Sequence, residues 1–347
     1  MPLITQIDCQ TIQVPLKRPF VTAVRTTETI TDLQVTITLE NGVQGIGTAP
    51  GTTMITGDTL AGMQSVIQTH FKPHLLGSSL AQQISQIEQI DRWVPFNSGA
   101  KMAIDLALHD AAAQQAGDTL PHFLGGQSNT VTTDMTIVCG SLESIENQVN
   151  NALNQGFEIL KVKLGTMIDH DLNVLQWLNN YLPSHVTIRI DANQGWTFDQ
   201  ALRFIQKAEA MDMTLSVIEQ PVCRHDIDSM VALTAQSSFP IMADEAIFSV
   251  HDAKRYCQAK ACDQINIKLA KAGGIGQARA IKAMADRYNI PCFVGCMMES
   301  PRGIRAAASF ALANQIDQID LDPVDWVGTE YLKPHLAFDC PTIQVIS

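Results

Sequence analysis

Charged residues recur at even intervals through the middle of the chain, each just after a short apolar run. Asp191, Glu219 and Asp244 are separated by 28 and then 25 residues, and Lys268 follows after 24 more. Such an interval is about the length of one strand, one helix and two short loops. Charges at the ends of successive strands in a repeating βα pattern are where a barrel keeps its active site. The spacing therefore predicts an enzyme built on alternating strands and helices.

Strands and helices are predicted to alternate from residue 131 onward. We predict eight strands, at residues 133–138, 159–164, 186–190, 215–218, 240–243, 264–267, 291–295 and 317–320. An open doubly wound sheet would have a glycine-rich phosphate-binding turn after its first strand, and Cys139-Gly140-Ser141 matches that turn poorly. The pattern therefore favours the α/β class, as a modified (β/α)8 TIM-like barrel.

The first 125 residues have a different pattern. Residues 12–14 and 33–39 alternate as strands do, and Asn41-Gly42 is a hairpin turn signal. Helical stretches follow at residues 59–71, 80–93 and 100–115. We predict an α+β domain at residues 1–125 and the barrel at residues 126–322. The C-terminal segment, residues 323–347, ends in a strand-like stretch and is expected to return to the first domain.

Composition restricts the possible partners and compartment. The net charge of −12 argues against nucleic acid and anionic membranes as partners. The first residues show no signal peptide, and no apolar run approaches the roughly 20 residues that span a bilayer. The eight cysteines form no CxxC pair, which favours a reduced interior over a disulfide framework. We therefore expect a soluble cytoplasmic protein.

Three carboxylates end adjacent predicted strands. Asp191, Glu219 and Asp244 follow the third, fourth and fifth barrel strands. Converging carboxylates in a pocket with little water repel each other unless a cation lies between them. Ligands that are all oxygen favour a hard ion such as Mg²⁺. The sequence therefore predicts a Mg²⁺ site formed by these three residues.

Two lysines are predicted to face each other across the barrel. Lys163 ends the second strand and Lys268 the sixth, and Lys161 shares the inward face with Lys163. A divalent cation and a second ammonium group nearby would lower the pKa of a lysine toward that of a useful base. A proton beside a carboxylate is hard to remove unless a cation stabilises the enediolate that forms. One lysine would remove this proton and the other would return one to the opposite face, which inverts the stereocentre.

These features resemble the enolase superfamily, and within it the muconate-lactonising subgroup. The resemblance covers nearly the full length and implies that the α+β domain caps the barrel. It also implies that Lys163 and Lys268 act as acid and base. The mandelate racemase branch is disfavoured, because the seventh strand ends in Cys296-Met297-Met298-Glu299 and supplies no catalytic histidine.

Within that subgroup the chain looks like a dipeptide epimerase. Asp320-Leu321-Asp322 resembles the DxD motif of that family, which implies that the two aspartates bind the substrate α-ammonium. Residues 22–26 and 55–58 resemble the two loops that close over the substrate. By the same resemblance, Arg25 would pair with a glutamate side chain of the substrate. The further residues that the resemblance places in the substrate pocket are Thr136, Lys161, Cys296 and Met298.

The sequence as a whole indicates a Mg²⁺-dependent epimerase of dipeptides, with L-Ala-D/L-Glu as the expected substrate. The alternatives on the same scaffold are o-succinylbenzoate synthase, a cycloisomerase and N-acyl amino acid racemase, whose substrates lack a free ammonium. A non-catalytic binding protein is disfavoured, because all the metal and base positions are present. Thr48 stands where many relatives have glutamate, and Cys296 where some have serine. The resemblance implies a role in murein peptide metabolism, and it leaves open whether the protein is a homo-oligomer.

Overall fold

The computed structural model describes residues 2–21, 26–211 and 213–346, and it begins with an antiparallel sheet. This sheet has the order β1 (Ile4–Val21), β2 (Thr26–Leu39), β3 (Gln44–Pro50). The predicted turn at Asn41-Gly42 joins β2 to β3, and Gly42 has a φ of +87°, a conformation that favours glycine. The amide of Gly42 donates to the carbonyl of Leu39, which closes this turn.

Helices follow this sheet in the chain. They are α1 (Leu60–Val66), α2 (Lys72–Leu75), α3 (Leu80–Gln86), α4 (Ile90–Trp93), α5 (Ser98–Ala116) and α6 (Leu120–Phe123). Helices α1 and α5 pack against the strands of the sheet. The alanine-rich helix α5 lies very close to β3, since a Cβ atom on Gly45 or Gly47 would lie 2.1 Å from the carbonyl oxygen of Ala107 or Ala103. The predicted helices at 59–71 and 80–93 are each broken, by the π-helical turn Ile67–Phe71 and the 3₁₀ turn Ile87–Gln89.

Eight parallel strands form the predicted barrel. After β4 (Thr130–Thr132) they are β5 (Met135–Ile137), β6 (Ile159–Lys163), β7 (Thr187–Asp191), β8 (Leu215–Glu219), β9 (Ile241–Ala243), β10 (Gln264–Lys268), β11 (Cys292–Gly295) and β12 (Ile319–Asp320). Each strand pairs with its neighbours in this order. The first and last strands are linked by the Leu321 amide, which donates to Thr133 Oγ1 at 2.9 Å. The predicted α/β barrel is thus confirmed.

Helices connect the barrel strands on the outside. They are α7 (Leu142–Asn154), α8 (Ile168–Tyr181), α9 (Phe198–Ala210), α10 (Ile227–Gln236), α11 (Val250–Ala259), α12 (Leu269–Ala272), α13 (Ile275–Arg287) and α14 (Pro301–Ala313). The predicted helix starts at Ser141 and Ser249 are present, because both hydroxyls accept a backbone amide of the first turn. Among the described residues, no helix combines the length and the apolar composition needed to cross a bilayer.

The C-terminal segment contacts both parts of the molecule. It contains α15 (Pro323–Trp326), α16 (Thr329–Leu332), β13 (Leu336–Asp339) and β14 (Thr342–Val345). Its first residues lie against β1, where Leu16 and Val327 form an antiparallel bridge. Its last strand does not join the β1–β3 sheet, and it pairs instead with β4 just before the barrel. The division of the chain at residues 125 and 322 stays a prediction.

Candidate active site

Six charged side chains predicted from the sequence lie together at the carboxyl-terminal edge of the barrel sheet. They are Lys161 and Lys163 on β6, Asp191 at the end of β7, Glu219 at the end of β8, Asp244 just after β9, and Lys268 at the end of β10. The register pairs Lys163 with Asp191 and Asp191 with Glu219. All six residues are at most 7% exposed. The alternation of strand ends thus brings them into one buried cluster.

Lys161 is the centre of this cluster. Its Nζ lies 2.6 Å from Glu219 Oε2, 2.6 Å from Asp320 Oδ2 and 3.0 Å from Asp191 Oδ2. Burial alone would lower the pKa of Lys161, but these carboxylates together raise it well above its ordinary value. Lys161 is therefore an ammonium ion that holds three carboxylates together.

The two proposed bases each contact a carboxylate. Lys163 Nζ lies 2.6 Å from Asp191 Oδ2, and Lys268 Nζ lies 2.8 Å from Asp244 Oδ2. The sequence predicts that neighbouring positive charges lower the pKa of the catalytic lysines. The residues around Lys268 instead raise its pKa. Burial is the largest single influence and lowers the pKa of Lys268, but Asp244, Glu219 and Asp320 together raise it above its ordinary value. Asp244 has the largest of these raising effects, because its carboxylate is in direct contact with the ammonium.

The structure adds two residues that the sequence reasoning missed. Lys271 is buried, and its Nζ lies 2.6 Å from Asp244 Oδ1, so that Asp244 contacts two lysines. Asn266 on β10 donates from Nδ2 to Glu219 Oε1 at 2.8 Å. The signal for Asn266 was its position two residues before Lys268, which places both side chains on the same face of β10. Lys271 lies in α12 and had no such signal.

The three carboxylates predicted to hold Mg²⁺ end neighbouring strands, but lysine ammonium groups lie against them. Lys161 contacts both Asp191 and Glu219, and Lys268 contacts Asp244. In the part of the chain that the structure describes, no group of three or more His, Cys, Asp or Glu is arranged to hold a metal ion. The donor set nevertheless fits a hard divalent cation, because it consists of buried carboxylate oxygens from neighbouring strands. The metal site therefore stays a prediction.

The carboxylates of the cluster differ in their affinity for protons. Burial would raise the pKa of Asp191 and of Asp244, but the contacting lysines hold both pKa values below the ordinary range. Glu219 has the opposite balance, since burial and the nearby Asp191 raise its pKa to about 8. Burial and the charge of Asp244 also raise the pKa of the neighbouring Glu245, to about 7. The cluster thus holds two anionic carboxylates beside groups that take up a proton readily.

Asp320 and Asp322 lie on the same wall of the pocket, at the end of β12. Asp320 Oδ2 is bound to Lys161 at 2.6 Å. Asp322 Oδ2 accepts hydrogen bonds from the Thr136 amide at 2.8 Å and from the indole of Trp326 at 3.3 Å. The two aspartates therefore differ in their partners, because an ammonium group binds the first and neutral donors bind the second.

The pocket above the cluster is lined by residues of both parts of the chain. The residues that line it include Phe20, Ile55, Thr136, Lys163, Asn193, Lys268, Cys296, Met298, Asp320 and Asp322. Thr136, Cys296 and Met298 line this pocket, and their contact with the substrate stays a prediction. The Cys296 thiol donates to the Asp320 carbonyl. Ile55 belongs to one of the two loops expected to cover the substrate. Arg25 belongs to the other and lies outside the described residues.

Comparison with known proteins gives matches over nearly the full length. The mandelate racemase / muconate lactonizing enzyme N-terminal domain matches residues 6–125, and the enolase C-terminal domain-like family matches residues 144–345. An L-amino acid-D/L-Glu epimerase of Francisella philomiragia is 45% identical to this chain over 343 residues. The match covers 99% of this chain and 96% of that protein.

Solved structures of two relatives have the same fold over nearly their whole length. A substrate-liganded complex of the L-Ala-D/L-Glu epimerase from Bacillus subtilis has a TM-score of 0.95 and 38% identity, and the match covers 99% of this chain and 96% of that one. The dipeptide epimerase of Enterococcus faecalis, complexed with Mg and L-Leu-L-Tyr, has a TM-score of 0.91 and 32% identity, with coverage of 99% and 97%.

Proposed function

The chain belongs to the mandelate racemase / muconate lactonizing enzyme family of the enolase superfamily, and we propose that it is an isomerase that epimerises dipeptides. The reaction inverts the α-carbon of the C-terminal residue, and the substrate is L-Ala-D/L-Glu. One observation carries this proposal: Lys163 and Lys268 line the same pocket as Asp320 and Asp322, and they come from strands on opposite sides of the barrel. In the strand order, three strands separate β6 from β10 on either side.

Two lysines on opposite sides suit a reaction that moves a proton from one face of a carbon atom to the other. With the substrate α-carbon between them, one neutral lysine takes the α-proton and the opposite ammonium delivers a proton to the other face. Asp191 holds the Nζ of Lys163, and Asp244 holds that of Lys268. These contacts fix the two nitrogens in place while the substrate carbon changes its configuration.

We propose that Asp191, Glu219 and Asp244 hold Mg²⁺. When bound there, the ion would stabilise the negative charge that develops on the substrate carboxylate. Asp191 and Asp244 are suited to this role because the lysines around them keep both carboxylates ionised. Asn266 orients the third by its hydrogen bond to Glu219 Oε1. Carboxylate oxygens are the ligands that a hard ion such as Mg²⁺ would take from these residues.

The aspartate pair separates a dipeptide from the other substrates of this superfamily. Asp320 and Asp322 offer carboxylate oxygens at one wall of the pocket, where a substrate α-ammonium would receive charge-assisted hydrogen bonds. Substrates of o-succinylbenzoate synthase, cycloisomerases and N-acyl amino acid racemases have no such ammonium. We propose that Arg25 pairs with the glutamate side chain. A cytoplasmic role in murein peptide metabolism is part of the same proposal.

The first test is proton exchange. The protein is incubated with Mg²⁺ and L-Ala-L-Glu in D₂O, and the glutamate α-proton is followed by NMR. We expect this signal to disappear while the L,D diastereomer forms. If the α-proton of a hydrophobic dipeptide exchanged but that of L-Ala-L-Glu did not, the mechanism would be retained and the glutamate specificity rejected. If no dipeptide exchanged its α-proton, the protein would instead be assigned to the cycloisomerase or N-acyl racemase branch.

The roles of the two lysines are tested with single variants. Lys163→Ala and Lys268→Ala should each abolish epimerisation, because each removes the group that serves one face of the α-carbon. The matched control is Lys207→Ala, which removes an exposed lysine of α9. Substantial epimerisation by both pocket variants would overturn the mechanism with two bases.

A further inference from the structure

The end of β1 is fastened to the segment that follows the last barrel strand. Four contacts connect the two: the bridge between Leu16 and Val327, the bond from Lys17 Nζ to the Asp325 carbonyl, the ion pair of Arg18 with Asp325, and the rings of Phe20 and Trp326. The fastened strand leads directly into residues 22–25, which belong to a loop expected to cover the substrate. The attachment therefore joins the end of β1 to the chain just after Asp322.

Trp326 is the residue at which these contacts meet. It is 1% exposed, and the guanidinium of Arg18 lies 3.9 Å from the centre of its ring. Phe20 meets the same ring edge to face, with centroids 5.2 Å apart and an interplanar angle of 86°. Phe20 in turn lines the active-site pocket. The indole is thus held on two sides by residues of β1 and has little freedom to rotate.

The third contact of Trp326 reaches the substrate site. Its Nε1 donates to Asp322 Oδ2 at 3.3 Å, and the Thr136 amide donates to the same oxygen at 2.8 Å. Both of these donors are neutral, whereas the neighbouring Asp320 is bound to the ammonium of Lys161. The charge of Asp322 is therefore the one less compensated inside the protein, and its direction depends on an indole and an amide.

We propose that Trp326 is a positioning residue that holds Asp322 in the orientation needed to bind the substrate α-ammonium, and that Arg18 keeps the indole in place. The inference rests on the proposed function, because it concerns the free N-terminus of a dipeptide. The contacts between β1 and the segment after β12 would then contribute to substrate recognition as well as to the fold. The ammonium takes no part in the proton transfer, so its binding is equal in the ground state and in the transition state.

The test is a steady-state comparison of Trp326→Phe with the wild-type protein on L-Ala-L-Glu and Mg²⁺. Phenylalanine keeps an aromatic ring against Arg18 and Phe20 and removes the indole N–H. The variant loses an interaction that is equally strong in the ground state and in the transition state. We therefore expect KM to rise about tenfold while kcat stays within about twofold. The matched control is Trp177→Phe, which removes an indole that stacks on Tyr181 in α8.

A purely structural role would give a different result. A KM within about twofold of wild type, or a fall in kcat as large as the rise in KM, would overturn the proposal. Should Trp326→Phe fold poorly, Arg18→Met is the second test, because the Arg18 side chain is 43% exposed and its replacement leaves no cavity in the core. We expect this variant to raise KM about threefold, and an unchanged KM would contradict the role of Arg18 and Trp326. Failure of the proposed function is recognised separately, since the wild-type protein would then not exchange the α-proton of any dipeptide.

Discussion

Replacing Lys161 with methionine should destabilise the protein strongly in the absence of divalent cations. The lysine is 1% exposed, and its ammonium is within 3.0 Å of three carboxylates. Methionine fills a similar volume, so the main loss is the positive charge. Removing one partner of a buried ion pair costs about 3–5 kcal/mol. Glu219, with its pKa raised to about 8, relieves part of the repulsion by taking up a proton near pH 7. The expected loss is therefore about 3 kcal/mol, at the lower end of that range.

The same variant should gain more stability from Mg²⁺ than the wild-type protein does. The ammonium that competes for Asp191 and Glu219 is absent, so both carboxylates can bind the cation. Each tenfold increase in affinity adds about 1.4 kcal/mol at saturating cation. The assay is urea unfolding of both proteins in EDTA and in millimolar Mg²⁺, with Lys207→Met as the control for loss of an exposed lysine. Equal stability in EDTA, or an equal gain from Mg²⁺, would refute the reasoning.

Two further substitutions test single groups. Asp322→Asn should raise the KM for L-Ala-L-Glu at least about tenfold and change Mg²⁺ affinity, measured by calorimetry, by less than about twofold; an equal loss of both would remove the argument for an ammonium site. Glu299→Gln tests a buried carboxyl whose pKa is raised to about 8, chiefly by burial. The folded protein keeps this proton between about pH 4.5 and 8 whereas the unfolded chain loses it, so wild-type stability should fall relative to the variant by about 1.4 kcal/mol per pH unit as the pH rises through that range. Parallel curves of stability against pH for the two proteins would contradict this.

The barrel could be predicted because its signal is local and repeated. Most of the strands are short apolar runs with a charged residue at or just after the end, and the eight predicted strands all overlap strands of the structure. The helix predicted at residues 59–71 was less regular than expected. Pro73, at the start of α2, cannot donate a backbone hydrogen bond to the preceding turn, and the chain forms a π-helical turn just before it.

What depends on distant parts of the chain could not be predicted. The sheet of β13, β14 and β4 joins residues 130–132 to residues 342–344, and no local pattern reports such a pairing. The same limit applies to the site. Lys163 and Lys268 were found because they end strands, whereas Lys271 and Trp326 lie in short helices after strand ends. Their roles follow from contacts with Asp244 and Asp322 that only the folded chain creates.

The ion pairs of the cluster lead to a prediction about the order of affinities. They join four lysines to four carboxylates, namely Lys161, Lys163, Lys268 and Lys271 with Asp191, Glu219, Asp244 and Asp320. With all four carboxylates ionised the formal charges balance, and with Glu219 protonated the cluster has one positive charge in excess, so in either state a divalent cation would leave the cluster positive. A dipeptide such as L-Ala-L-Glu carries one net negative charge at neutral pH and should then bind more tightly.

Because coupling is reciprocal, the dipeptide should increase the affinity for Mg²⁺ by the same factor, about tenfold for a typical coupling energy. Calorimetric titration of Mg²⁺ with and without saturating dipeptide measures this factor directly. Lys161→Met should show weaker coupling, since its cluster lacks one positive charge and the bound cation then leaves it less positive than the wild-type cluster. If the dipeptide left the Mg²⁺ affinity of the wild-type protein unchanged, charge balance in the cluster could not be what links the cation to the substrate.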